Sequence, residues 1–231
     1  MNEATWQVHH GISQDLLERV GDQSVDAIVT DPPYAKTGTS SSWVSRSKNR
    51  GIPKEGQFFE AWIREQLQQW QRVLKPDGAI FFTMDWFGAV QVDTACRRLG
   101  WKVPSIGVWD RENLGAGHVL RRRYENFVVI TMPQWKRHLR GEPDLWRIRW
   151  FPSDRKRGHA AEKPVELFDR ALRLLLGDQR DRLVFDPFCG TGTSGIAALH
   201  LGHRYIGFER EPDYAAVARK RLTERGLHES G

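Results

Sequence analysis

A chain of 231 residues with 35 Lys+Arg against 29 Asp+Glu and a net charge of +6 is long enough to bury one α/β core, and its basic excess favours a polyanionic partner without establishing one. No stretch approaches the roughly 18 consecutive apolar residues of a membrane span and the N-terminus lacks the apolar run of a signal peptide, so a soluble cytoplasmic protein with no membrane partner is expected. The two cysteines, Cys96 and Cys189, are far apart and form no C-x-x-C pair, which argues against a disulfide framework and a zinc site; no metal site is expected.

Short apolar runs alternate with amphipathic stretches from end to end, the pattern of a mostly parallel sheet with helices on both faces. In chain order, strands are predicted at 6–10, 25–30, 78–84, 102–109, 125–132, 182–186 and 204–209, and helices at 13–20, 57–74, 86–99, 163–176, 193–201 and 211–225. Pro76, Asp77 and Gly78 should stop the second helix and turn the chain into the third strand. Pro164 fits a first helical turn, where its missing N–H would be unpaired anyway. The expectation is one domain, 1–231, with seven strands.

Two stretches show neither period. Residues 35–56, rich in Ser, Gly and Lys/Arg, read as a mobile loop with net charge +4, and residues 133–158 carry +5, leaving the rest of the chain net −3. Charge concentrated in this way suggests a phosphate-facing surface, with Lys36, Arg46, Lys48, Lys136 and Arg137 as candidate contacts. The irregular stretch 133–160 is long for a connection inside a compact domain, and its Trp135, Trp146, Trp150 and Phe151 argue against full disorder. Trp43 and Trp135 are candidates to stack on bases.

Asp31-Pro32-Pro33-Tyr34 follows the apolar run Val25–Thr30 and should lie at the carboxyl edge of the sheet, where open α/β folds bind ligands. An exocyclic base amine is a poor nucleophile because its lone pair is delocalised. A carboxylate (Asp31) and a carbonyl (Pro32) accepting its two N–H groups would raise the electron density on nitrogen. Consecutive prolines would hold the turn rigid, and Tyr34 would stack on the base. The alternative is a plain strand-ending turn, since Asp and Pro are common turn residues.

Asp186-Pro187-Phe188-Cys189-Gly190-Thr191-Gly192-Thr193 reads as a strand end, a glycine-rich turn and a helix start, with Glu209 at the next strand end able to accept from ribose hydroxyls. Gly190, Gly192 and Gly195 also match G-x-G-x-x-G, so a nicotinamide dinucleotide competes. Asp186, placed to reach an amino-acid moiety, tilts the reading to a sulfonium cofactor. Cys189 reads as packing or cofactor contact, because an amine attacks a sulfonium methyl without a cysteine nucleophile, and His9, His10 and His159 read as structural.

On these two motifs the chain resembles the N4/N6 amino DNA methyltransferases of the permuted β class over nearly its whole length, the catalytic motif coming first and the cofactor loop last. The resemblance implies a Rossmann-like methyltransferase domain with one antiparallel strand, S-adenosyl-L-methionine as cofactor, and double-stranded DNA, its target base flipped out, as substrate. Glu162-Lys163-Pro164 matches a family segment, which implies a contact of Lys163 and Pro164 to the cofactor's methionine part. Arg121-Arg122-Arg123-Tyr124-Glu125 matches another, which implies contacts to the DNA backbone or flipped nucleotide. Asp at the first catalytic position is the family's more usual choice for adenine N6, Ser for cytosine N4. Family members often form dimers. Three departures stand out: Ile12 where an acid is usual, with Asp15 an uncertain substitute; Ala160-Ala161 where Pro-Thr is usual; and a short recognition stretch. Cytosine-N4 methylation, an RNA amine methyltransferase and a non-catalytic DNA-binding protein remain alternatives.

Overall fold

The computed structural model describes residues 5–34, 56–102, 104–115, 119–150 and 162–228. Its sheet has eight strands in the order β1-β8-β7-β2-β3-β5-β4-β6, where β1 is Trp6–His10, β2 Val25–Thr30, β3 Leu74–Met84, β4 Ser105–Asp110, β5 Tyr124–Thr131, β6 Leu145–Arg147, β7 Leu183–Asp186 and β8 Arg204–Glu209. Every neighbouring pair is parallel except those made by β5, which runs antiparallel to both β3 and β4.

All six residues of β2 are buried, as expected of a central strand covered on both faces. Alternation then divides the apolar side chains. Ala27, Val29, Ala79 and Phe81 face one core with α4 (Val165–Leu176) and α5 (Thr193–His200), completed by Ala215, Ala218 and Leu222 of α6 (Pro212–His228). Val25, Ile28, Ile80 and Phe82 face a second core with α2 (Gly56–Val73) and α3 (Trp86–Arg98). The Asp85 side chain accepts from Gly88 N at 2.8 Å and starts α3 one residue after β3 ends. The first predicted helix is shorter than expected: α1 covers Ser13–Leu16 and a 3-10 turn follows over Leu17–Arg19.

Three expectations need correction. β6 is an eighth strand inside a stretch read as irregular; three residues are too few to show a period. It is held by Trp146, fully buried, whose ring stacks 4.2 Å from Phe127 and 5.6 Å from Phe81 with Arg170 over it at 4.6 Å. Gly107 on β4 makes this stack possible, because a Cβ there would lie 2.1 Å from the Phe127 ring. Next, Pro76, Asp77 and Gly78 do not precede β3 but lie within it, at a register shift where Val25 pairs with Leu74 and Ala27 with Ala79. Finally, Pro164 caps α4 from outside, with φ −66° and ψ 141°, and does not sit in its first turn. Among the described residues no helix is long and apolar enough to cross a membrane.

Candidate active site

β2 and β7 are adjacent and parallel, Ala27 opposite Val184 and Ile28 opposite Phe185, so the segments after Thr30 and after Asp186 leave the sheet side by side at its carboxyl edge. From β2 the chain proceeds through α2 to β3 on one side; from β7 it proceeds through α5 to β8 on the other. That divergence makes the gap between them the switch point at which open α/β sheets bind ligands. A direct bond joins the two motifs: Thr30 Oγ1 donates to Asp186 Oδ1 at 2.5 Å.

The glycine turn is tied down from three directions. Phe188 N donates to Asp186 Oδ1 at 2.9 Å, Cys189 N to Phe208 O at 2.9 Å, Gly190 N to Glu209 Oε2 at 2.9 Å and Gly192 N to Cys189 O at 2.8 Å. From α6, buried Arg221 donates to Thr191 O at 2.7 Å and Thr191 Oγ1 at 2.9 Å, while its other nitrogen reaches Glu162 Oε1 at 2.7 Å. Gly192 has φ +82°, and a Cβ there would lie 3.0 Å from Ala218 Cβ, so backbone conformation and helix packing both demand glycine. Pro187 and Thr193 are buried, and Phe188 packs with its ring 6.1 Å from Trp62.

Burial pushes the Asp186 carboxyl up to about 7 against the pull of the Ser194 and Thr30 hydroxyls and the Phe188 amide. At 2% exposure and with those partners, Asp186 faces inward. Asp186 is the tie between the two motifs. Burial likewise raises the Glu209 carboxyl, whose oxygens hold Gly190 N and Glu211 N at 2.9 and 2.7 Å. Cys189 is buried and its thiol is pushed well up by burial and by the nearby Asp186 and Glu209, so it offers no thiolate nucleophile.

Asp31 stands at the head of a four-charge cluster. Lys163 Nζ lies 2.9 Å from Asp31 Oδ2 and 3.2 Å from Glu125 Oε2, and 5.1 Å above the Tyr34 ring centroid. Arg111 Nη1 reaches the other oxygen of Glu125 at 3.2 Å. The Tyr34 hydroxyl is 2.9 Å from Asp31 Oδ1 and 2.6 Å from Glu125 Oε2, and the Thr83 hydroxyl donates to Asp31 Oδ1. Burial acts to raise Glu125, but the Lys163 and Arg111 charges and the Tyr34 hydroxyl hold it below the ordinary range. For Lys163 burial acts downward, and Asp31 and Glu125 outweigh it. Lys163 therefore bridges the carboxylates of Asp31 and Glu125.

The pattern that defines the N6/N4 DNA methylase family matches residues 25–220. The chain belongs to that family. Its relatives include the type II methyltransferase M2.MboI of Moraxella bovis, 24% identical over 96% of this methylase and 89% of that protein. Two solved structures share the fold. The cytosine-N4-specific PvuII DNA methyltransferase has a TM-score of 0.73 and 17% identity, covering 97% of this chain and 92% of its own. The M1.HpyAVI complex with SAM has a TM-score of 0.71 and 21% identity, covering 94% and 98%.

The methylase places other sequence candidates less uniformly. Arg121, Arg122 and Arg123 precede β5 and lie at the same edge as Asp31, Arg121 donating to the carbonyls of Gly115 and Leu114 and Arg123 pairing with Asp110. Lys136 and Arg137 are at the opposite edge: β5 runs antiparallel, so leaving it carries the chain to the amino ends of β2 and β3. Gln134 N bonds Pro76 O there, and Lys136 lines a cleft of about 560 Å³ with Asp26, Asp77 and Arg182. They lie at the edge of the sheet away from Asp31, so a phosphate contact by them would be on a different edge from the one that carries Asp31. Trp135 is an anchor and not a stacking platform, its Nε1 donating to Leu175 O at 3.0 Å while it packs on the first core. Lys36, Trp43, Arg46, Lys48 and His159 lie outside the described residues. Sequence reading missed Thr30, Thr83, Arg111, Ser194 and Arg221. Ser194 lies within the G-x-G-x-x-G span and was passed over; the other four belong to no local motif, although the polar Thr30, closing β2, and Thr83, next to last in β3, were a usable signal.

Proposed function

We propose that this DNA methylase transfers a methyl group to the exocyclic amine of a flipped-out base in double-stranded DNA, with adenine N6 the acceptor. One observation carries the reading: the carboxylate of Asp31 and the glycine turn share one edge of the sheet, joined through Thr30 and Asp186. The nature of the turn supports a sulfonium cofactor over a dinucleotide. A diphosphate is held by free amides converging on it, whereas the amides of Phe188, Cys189, Gly190 and Gly192 are already bonded within the protein. Beside the turn the carboxylates of Asp31 and Glu209 offer acceptors, which suits a cation.

When bound, S-adenosyl-L-methionine supplies an electrophilic methyl carbon. Glu209, at the end of β8, accepts from its ribose hydroxyls, and the turn from Pro187 to Thr193 backs it. A carboxylate offers about four lone-pair directions. Asp31 Oδ1 faces Tyr34 and Thr83 and Oδ2 faces Lys163, so Oδ2 keeps one direction for an amine N–H, while the Pro32 carbonyl takes the other. Asp31 is recessed, 24% exposed, and a base still stacked in a duplex would not reach it. Arg121, Arg122 and Arg123, with Lys36, Arg46 and Lys48, hold the phosphates. Asp at the first catalytic position favours adenine, as the resemblance to the amino methyltransferases implies.

The test is transfer from isotopically labelled S-adenosyl-L-methionine to unmethylated DNA or RNA, followed by mass spectrometry of the nucleosides. N6-methyladenine in DNA is expected. N4-methylcytosine would overturn the choice of base, label confined to RNA the choice of nucleic acid, and DNA binding without transfer the enzymatic reading.

A further inference from the structure

Methylation leaves a proton to be disposed of. The amine nitrogen forms its new bond to the methyl carbon, the S–CH3 electron pair departs with sulfur, and the nitrogen, now cationic, must lose one hydrogen as a proton. Asp31, which holds one of those hydrogens in the function proposed above, is the nearest base.

The surroundings of Asp31 are short of one proton. A phenol carries a single hydrogen, yet the Tyr34 hydroxyl lies within hydrogen-bond distance of two carboxylate oxygens, 2.9 Å from Asp31 Oδ1 and 2.6 Å from Glu125 Oε2. It can donate to only one at a time, and Glu125 is the nearer. The Asp31–Tyr34 contact then sets oxygen lone pairs against each other. Lys163, bridging both carboxylates at 2.9 and 3.2 Å, keeps that arrangement together.

We propose that Tyr34 and Glu125 form the route by which the proton released from the methylated amine leaves Asp31. The proton arrives on Oδ2, the oxygen that holds the amine, and a half-turn of the carboxyl group about its Cβ–Cγ bond carries the O–H to the Tyr34 side, where the opposed contact becomes a hydrogen bond donated to the Tyr34 oxygen. Tyr34 passes its own hydrogen to Glu125 as it takes the one from Asp31, and the phenol ends as it began. The groups facing this path are Asp31 after β2, Glu125 on β5, Lys163 ahead of α4 and Arg111 after β4, two negative and two positive. One added proton makes the cluster net positive, which drives release to solvent through Glu125, 15% exposed. Burial and the two carboxylates push the Tyr34 phenol well above its ordinary value, so it carries the proton without standing ionised. Glu125, held low, releases what it receives. Both are positioning residues for Asp31 in this step.

The experiment measures single-turnover transfer of labelled methyl from S-adenosyl-L-methionine to unmethylated mixed-sequence DNA, over a range of pH, for the full chain, Tyr34→Phe, Glu125→Gln and the double variant. Phe keeps the ring and removes only the hydroxyl. General acid–base assistance is worth about 10²–10⁴-fold, and a relay one group removed from the amine is expected to account for about tenfold to a hundredfold at neutral pH. The loss should shrink as pH rises and solvent base takes the proton, cofactor affinity by calorimetry should stay as in the unsubstituted chain, and the double variant should be no slower than the slower single one. Unchanged rates, or a loss equal at all pH with additive effects, would overturn the proton route alone. An unsubstituted chain that transfers no methyl group would overturn the parent function and this route with it.

Discussion

Strand β2 carries an aspartate near each end, and the two ends have opposite characters. Asp26, at the amino edge, is 6% exposed; Lys75 and Arg182 reach its Oδ1 at 2.7 and 3.3 Å, and Leu183 N reaches Oδ2 at 2.8 Å. Every partner is a donor, so the carboxylate is satisfied and inert. Asp31, at the carboxyl edge, is 24% exposed and shares Lys163 and Tyr34 with a second acid, Glu125. One end joins strands; the other retains an open acceptor direction. Burial and ion pairing alone do not distinguish structural from reactive carboxylates; the count of donors against acceptors does.

Asp31→Ala should give the largest effect, a loss on the order of a hundredfold to a thousandfold in single-turnover methyl transfer with cofactor affinity retained. Asp26→Ala should leave the rate per folded molecule unchanged and lower the unfolding free energy by about 1–2 kcal/mol, a modest figure because Lys75 and Arg182 are each about a third exposed. Denaturant titration beside the transfer assay separates the two. A large catalytic defect in Asp26→Ala would erase the contrast.

Asp186 sharpens it from the tie between the motifs. Its folded-state carboxyl is raised to about 7, above its ordinary value of 3.8, so its contribution to stability is fully present below that ordinary value and is lost as pH rises through about 7. Asp186→Asn mimics the protonated group. Its Tm relative to the unsubstituted chain should therefore rise by a few degrees between acid and mildly alkaline pH, which thermal melts will show. A pH-independent difference would mean that the carboxyl is not held up.

The smallest effects concern surface cations at the two edges. Arg121→Ala should weaken DNA binding and reduce the slope of log affinity against log salt by about one, whereas Lys136→Ala should leave both unchanged. Equal losses would place DNA on both edges of the sheet.

Asp31-Pro32-Pro33-Tyr34 and the turn around Gly190 were readable because each is local: a strand end, a turn and the chemistry they carry are encoded in consecutive residues. Helix and strand positions were readable for the same reason, through period. The misplaced site candidates share one cause. Lys136 and Arg137 were placed by charge, but the antiparallel direction of β5, a property of strand pairing, carries them to the far edge. Trp135 read as a stacking surface until the Leu175 carbonyl was beside it.

By itself the amino-acid sequence determined the alternation that builds the sheet, the two motifs and their order along the chain. Only the tertiary structure decided that β2 and β7 are neighbours, that Lys163 lies on Asp31, that Asp186 turns inward and that Tyr34 sits between two carboxylates with one hydrogen to give. The physical reason is range: dihedral preference and hydrophobic period act within a few residues, whereas proton balance, desolvation and ion pairing depend on groups that folding brings together from distant parts of the chain.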